Sequence, residues 1–335
     1  MNKRTIDSDP TEAKRHKLPD WQLHLREHGW AVVPRVLEPA QVSDYASRFW
    51  DWMESFGSGI KRTDRITWKP ANWPPSIRGL LQHYRIGHAK FVWDLRSEAA
   101  VLDVFAQLWS THDLLVSFDG ACLATPVHAR ISRDKDSWAH IDQGPAKAGR
   151  YECVQGLMTL SEAGPDLGGL VVYSGSHKLH KAFFEAHPAY AKKIGRSDWA
   201  KLEDVHREWY FRNGVTEVQP TAPPGSIILW DSRTVHWAAR PSREQQHCRM
   251  AVYLCYVPRA KASKAAIEKK RKAFLDRRMT SHWPANPILF PTKPRTYGKT
   301  VLIAEDEVDV LKLFPDRPAI EEAEVTPTMR SLAGF

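Results

Sequence analysis

Between Glu38 and Gly57 the apolar side chains recur at helical spacing. Val42, Tyr45, Phe49, Trp52 and Met53 fall on one face, and Glu38-Pro-Ala supplies an opening turn. The pattern predicts an amphipathic helix with one buried side. Shorter helices are expected over 20–28 and from about Glu98 to Trp109, where Ala99, Leu102, Phe105 and Leu108 share a face. Trp30-Ala-Val-Val-Pro-Arg-Val36 reads as a strand. Residues 58–90 hold no period and read as loop, with Trp73-Pro-Pro and the polar-aromatic run Gln82–His88.

From Leu114 onward the texture changes to short apolar segments separated by turns. Strands are expected near 114–124, 138–143, 151–161, 169–173, 215–219, 226–230, 234–239 and 248–258. Gly164-Pro-Asp-Leu-Gly-Gly169 and Pro223-Pro-Gly225 supply turns. Such a series predicts a double-sheet jelly roll, a cupin-type double-stranded β-helix whose mouth can hold a metal. With the N-terminal helices buttressing one sheet, the fold class is α+β. The expected organisation is a tail over 1–18, one domain over 19–260 with a helical insertion at about 177–212, and an extension over 261–335. That extension is a basic helix (260–280) and a Pro-rich tail. There is no internal repeat.

Composition narrows the class. Of 335 residues, 42% are hydrophobic and 26% charged, which is ordinary for a globular chain. No apolar run approaches the roughly 18 residues of a membrane span, and no signal-peptide stretch opens the chain, so an intracellular, cytoplasmic protein is expected. Cys122, Cys153, Cys248 and Cys255 form no C-x-x-C pair and read as reduced core thiols. Fourteen tryptophans are many. Trp50, Trp52, Trp68, Trp73, Trp93 and Trp109 are expected to pack helices against a sheet. The net charge of +9 favours nucleic acid or anionic small molecules such as CoA esters. Much of it is local, in Lys3-Arg4, Lys14-Arg15-His16-Lys17 and the cluster Lys264–Arg278. The two N-terminal clusters have the form of a bipartite nuclear-import signal.

The candidate chemistry lies in Trp138-Ala-His-Ile-Asp-Gln143. On a strand, His140 and Asp142 point to the same face. With the downstream His236 they make two imidazoles and one carboxylate, the facial triad of non-haem Fe(II) oxygenases, which leaves positions open for O₂ and a co-substrate. Gln155, on the strand that follows, is a candidate to hydrogen-bond the co-substrate or a metal ligand. Asp231 is a candidate acceptor for His236, and Trp138 a candidate pocket wall. His83, His88 and His128 read as ordinary surface or core histidines.

Several segments then occur in a telling order. His140-Ile-Asp142 is followed by Gln143, then Gly175-Ser-His-Lys178, then Pro224-Gly225 before a strand ending Trp230-Asp-Ser232, then His236 and Arg249. This order closely resembles the phytanoyl-CoA dioxygenase-like branch of the Fe(II)/2-oxoglutarate oxygenases, from about Trp30 to Pro258. The resemblance implies that His140, Asp142 and His236 ligate Fe(II) and that Arg249 anchors the distal carboxylate of 2-oxoglutarate. A guanidinium fork suits that task. Arg240 and Arg243 compete for it, but Arg249 opens a strand on which Arg249, Ala251, Tyr253 and Cys255 share a face. His177 and Lys178 read as a structural turn.

The resemblance further implies oxidative decarboxylation of 2-oxoglutarate to succinate and CO₂, driven by O₂, with ascorbate as a reductant. The Asp142 carboxylate favours hydroxylation over halogenation, since related halogenases replace it with a small residue. The expected reaction is hydroxylation of a small organic molecule. An alternative is oxidative modification or demethylation of a nucleobase or nucleic acid, and another is a catalytically silent metal-binding module, against which the intact triad argues. Lys61–Lys90 and 177–212 are expected to set the substrate. No membrane partner is expected, and no oligomeric state is assigned.

Overall fold

The computed structural model describes residues 18–76, 79–125, 138–241, 247–292 and 314–335. The N-terminal basic clusters, His128 and Arg243 lie outside the described residues.

Twelve strands among the described residues make two antiparallel sheets. They are β1 (Trp30–Val33), β2 (Leu80–Leu81), β3 (Leu114–Val116), β4 (Ala121–Ala124), β5 (His140–Ile141), β6 (Val154–Thr159), β7 (Gly169–Ser174), β8 (Ala200–Lys201), β9 (Thr216–Val218), β10 (Ile227–Asp231), β11 (His236–Ala239) and β12 (Arg249–Pro258). The larger sheet runs β1-β10-β6-β12-β4-β2, with β3 also on β12; the smaller runs β8-β5-β11-β7-β9. The chain hops between sheets as it advances: β5, β7 and β11 lie in the smaller, β6, β10 and β12 in the larger. This is the expected jelly roll.

Period-two patterning sorts the side chains. On β12, Ala251 and Tyr253 face the barrel interior with Leu157, Val172, Ile228 and Trp230. Met250, Val252, Leu254 and Tyr256 face the other way, into the main core. That core lies between the larger sheet and the helices α1 (Asp20–His28), α2 (Pro39–Glu54), α3 (Lys90–Ser97) and α4 (Ala99–Trp109). Helix α2 buries Val42, Tyr45, Phe49, Trp52 and Met53, the face its period predicts, and Glu38 with Gln41 forms a capping box at its start. Trp50, Trp52, Trp73 and Trp93 are buried there, and Trp68 and Trp109 pack against the edge. A fully buried side chain such as Phe49 or Met53 contributes about 1.5–3 kcal/mol by burial.

Two expectations need correction. The segment 114–124 is two strands with a break over 117–120, where Gly120 lies so close to the Leu81 carbonyl that a Cβ there would collide with it. The break lets β3 pair with the end of β12 and β4 with its beginning. The strand at 138–143 shrinks to two paired residues, His140 and Ile141. The helix expected from about Glu98 to Trp109 is α4, with Glu98 at its N-cap and the Glu98 carboxylate accepting from Tyr45 Oη at 2.5 Å; α3, just before it, left no mark in the pattern.

Between β7 and β9 lie α5 (His180–Ala186), α6 (Pro188–Ile194), β8 and α7 (Asp204–Arg212). Phe183, Tyr190 and Tyr210 from these helices cover the outer face of the smaller sheet, against Ala139, Ile141 and Tyr173. Helix α8 (Lys264–Leu275) is capped by Ser263 and α9 (Pro327–Leu332) by Thr326.

Candidate metal centre

The local sequence explains how the two histidines meet. In Ala139-His-Ile-Asp142 the apolar residues Ala139 and Ile141 pack outward, which turns His140 and Asp142 into the barrel. Val235 packs outward on the adjacent strand, turning His236 in likewise. His140 and His236 are direct cross-strand partners of β5 and β11, with ring centroids 4.4 Å apart.

One ligand atom each from His140, Asp142 and His236 lies within 4.8 Å of the others, and all three residues are buried. His140 Nε2 is 3.7 Å from Asp142 Oδ1, and His236 Nε2 is 3.3 Å from Asp142 Oδ2. The opposite ring nitrogens are engaged: His140 Nδ1 with the Trp138 carbonyl at 3.1 Å, and His236 Nδ1 with the Thr234 carbonyl at 3.0 Å. Those carbonyls fix the protons on Nδ1 and leave both Nε2 lone pairs facing the carboxylate. Ligands about 2.1 Å from a shared ion sit about 3 Å apart when adjacent, so a small contraction seats a divalent metal. The electrostatics agree. Burial, aided by the neighbouring His236, pushes the His140 imidazole down to about 4, which keeps it neutral and able to ligate. Burial opposes the charge of Asp142, but His282, His140 and His236 outweigh it and hold the carboxyl well below the usual range.

Two residues of the larger sheet, Gln155 and Arg249, are buried polar groups of the barrel. Gln155 on β6 donates from Nε2 to Asp142 Oδ2 at 3.0 Å. Of the two roles weighed for it, the contact is with the carboxylate. Arg249 opens β12 and is 6% exposed. Its Nη1 donates to Cys122 Sγ at 2.9 Å, and Tyr253 also hydrogen-bonds it. Its side chain crosses Gly169 of β7, where φ is +105° and a Cβ would collide with Nε. No carboxylate among the described residues pairs with this guanidinium, a costly arrangement unless an anion completes it. The residues therefore fit a divalent metal with an anionic co-substrate.

The comparisons agree with this chemistry. The family model for phytanoyl-CoA dioxygenase (PhyH) matches residues 25–248. The chain belongs to that family. It is 32% identical over 273 residues to "Ava biosynthesis cluster protein O" of Aspergillus versicolor, covering 79% of this chain and 86% of that protein. Among solved structures, a Salmonella typhimurium LT2 protein assigned as an oxidoreductase aligns with a TM-score of 0.60 at 12% identity, over 94% of this chain and 82% of that one. The epimerase SnoN, solved with Fe3+, alpha ketoglutarate and nogalamycin RO, aligns with a TM-score of 0.46 at 16% identity, over 71% and 82%. As a PhyH-family member this protein is a non-haem 2-oxoglutarate-dependent oxygenase using Fe(II), 2-oxoglutarate and O₂.

Other candidates sort by their contacts. Asp231 does not support His236; it is taken by Arg233, whose Nη2 is 2.6 Å from Oδ2. Trp138 stacks on the His140 ring at 4.7 Å and donates from Nε1 to the Ala238 carbonyl. His177 contacts the Arg26 carbonyl and Lys178 pairs with Glu27, so the PhyH-typical turn at 175–178 locks α1 to the barrel. His83 lies at 6.4 Å from the Phe290 ring, and His88 is fully buried with Nε2 on the Arg278 carbonyl. Arg240 follows β11 and is half-buried.

Sequence reasoning missed three residues. Trp199, 48% exposed, has its ring 6.1 Å from His140 because β8 pairs with β5. Lys147 bridges Asp198 at 2.6 Å and the Trp283 ring at 4.0 Å. His282 Nδ1 lies 3.9 Å from Asp142 Oδ2. Only the run Ser281-His-Trp-Pro284, aromatic within a basic tail, could have signalled the last.

The cluster Lys264–Arg278 is divided: Lys264, Lys269 and Lys272 are exposed, and the other four cations are engaged within the chain. Lys270 is buried with its ammonium on the Val116 carbonyl, and Arg271, Arg277 and Arg278 donate to the carbonyls of Gly334, Ile320 and Phe290. Among the described residues no helix is long and apolar enough to cross a membrane.

Proposed function

We propose that this protein hydroxylates a small organic molecule, coupled to decarboxylation of 2-oxoglutarate to succinate. In this reading His140, Asp142 and His236 hold Fe(II), Arg249 takes the distal carboxylate of 2-oxoglutarate, and Gln155 orients Asp142. The observation that carries it is the convergence of three metal-ligating atoms and an uncompensated buried guanidinium on one barrel interior.

When bound, the iron and 2-oxoglutarate turn O₂ into the oxidant that removes hydrogen from the substrate. The chain's own groups bind, orient and exclude water. The Trp138 and Thr234 carbonyls fix the imidazoles, Gln155 takes an Asp142 lone pair, and Ala251, Tyr253, Leu157 and Trp230 form an apolar lining. Trp138 and Trp199 set indole faces beside His140, which supports a flat, largely apolar substrate. The name of the Aspergillus versicolor relative ties that protein to a biosynthesis cluster, which supports a secondary metabolite here.

The test is succinate release from 2-oxoglutarate with Fe(II) and ascorbate. Wild type is expected to turn over, and His140→Ala and Asp142→Ala to abolish it. Unchanged turnover in both variants rejects the triad assignment. Nucleobase oxidation by the same chemistry is not favoured by the Lys264–Arg278 cluster as a whole, since Lys270, Arg271, Arg277 and Arg278 are engaged within the chain and only Lys264, Lys269 and Lys272 are exposed. Salt-sensitive oligonucleotide binding would revive it.

A further inference from the structure

Besides His236 Nε2, two nitrogens approach Asp142 Oδ2. Gln155 Nε2 is 3.0 Å from Oδ2, and His282 Nδ1 approaches the same oxygen at 3.9 Å. His282 lies beyond the family-matched residues 25–248, in the C-terminal extension. It is outside the set of mutually close ligand atoms that His140, Asp142 and His236 form, so its contact is with the carboxylate. Its Nε2 is buried and has no hydrogen-bond partner among the described residues.

The placement is built. Before His282, Thr280 N donates to the Phe118 carbonyl at 3.0 Å and Thr280 Oγ1 accepts from Phe118 N at 3.1 Å. Ser281 N donates to the Ile288 carbonyl at 2.8 Å. After it, Trp283 is 6% exposed and packs with Cys153, Cys255 and Val257, while the Lys147 ammonium sits over its ring. Lys147 is itself held by Asp198, so the extension, the loop after β5 and the insertion are fastened together at this point.

We propose that His282 is a positioning residue for the metal ligand Asp142, so that docking of the C-terminal extension completes the centre. This rests on the triad reading above. A carboxylate offers about four lone-pair sites and no donors. Gln155 occupies one, the metal takes another, and His282 Nδ1–H takes a third once the ligands contract around an ion. Held by two donors, the carboxylate cannot rotate away from the metal, and the ordering cost of binding falls.

The experiment titrates the metal-stripped full chain with Co(II), read by its visible absorption, which needs neither substrate nor turnover. His282→Ala is expected to weaken Co(II) binding about 10- to 100-fold. His282→Asn sets an amide nitrogen near the Nδ1 position and is expected to recover most of that loss. Both variants keep the Thr280 and Trp283 anchors, and metal-free thermal midpoints near wild type certify folding. The inference is overturned by His282→Ala affinity within about twofold of wild type, or by equal losses in the Ala and Asn variants. His140→Ala separates the two readings. If it binds Co(II) like wild type, the triad itself is wrong; if it loses binding while His282→Ala does not, only the role of His282 falls.

Discussion

Replacing Arg249 by methionine removes a buried charge while keeping most of its side-chain length. In the free protein the guanidinium rests on Cys122 and Tyr253 with no carboxylate partner among the described residues. The 2-oxoglutarate carboxylate would supply the missing anion. Deleting one side of a buried, hydrogen-bonded charge pair costs about 2–5 kcal/mol, or roughly 30- to 4,000-fold in affinity. The assay is calorimetric titration of Mn(II)-loaded protein with 2-oxoglutarate, run in parallel with pyruvate. Pyruvate has the chelating keto acid but no distal carboxylate, so its affinity is expected to stay within about threefold of wild type in Arg249→Met. Arg249→Lys is expected to fall between, because an ammonium cannot fork across both oxygens. Stability should move the other way. Without ligand the variant sheds an uncompensated buried charge, so its thermal midpoint is expected at or above wild type. Equal losses for 2-oxoglutarate and pyruvate, or no loss for either, would refute the assignment.

Gln155→Leu is expected to weaken Co(II) binding by about tenfold or more, since Asp142 then loses its 3.0 Å donor; equilibrium titration checks this. Gly169→Ala strains a backbone at φ +105° and drives a methyl into Arg249, so both a stability loss above about 1 kcal/mol and weaker 2-oxoglutarate binding are expected, by urea unfolding and calorimetry. His88 is fully buried, and burial pushes its imidazole down to about 3 from 6.5. The unfolded chain therefore takes the proton first, so the contribution is complete above pH 6.5 and is lost as pH falls toward the folded value. By about pH 5 the loss from His88 is about 2 kcal/mol, and urea unfolding against pH should be flatter in His88→Gln.

Most of the barrel was legible because strand alternation leaves a period-two trace. Arg249, Ala251, Tyr253 and Cys255 could be assigned one face before any coordinates, and Ala251 and Tyr253 indeed face the interior. The same trace sent His140 and Asp142 to a single spot. Legibility failed where a backbone contact decides. In 114–124 the Asp119-Gly120 dipeptide is the one turn signal, and no local pattern announces that Gly120 packs on the Leu81 carbonyl. Asp231 looked suited to His236 by proximity, yet Arg233, two residues on, captures it. The Lys264–Arg278 cluster was legible as a basic helix, but not that Lys270, Arg271, Arg277 and Arg278 would donate to carbonyls far away in the chain.

Sequence alone determined the residue types of the centre, their faces and their order, because those depend on side-chain chemistry and local period. Tertiary structure decided which groups meet. The direct pairing of His140 with His236, the reach of Gln155 across the barrel, the passage of Arg249 over Gly169 and the return of His282 to Asp142 are contacts between chain segments far apart in sequence. Such contacts depend on sheet register and on loops closing over long separations, and no local pattern encodes either.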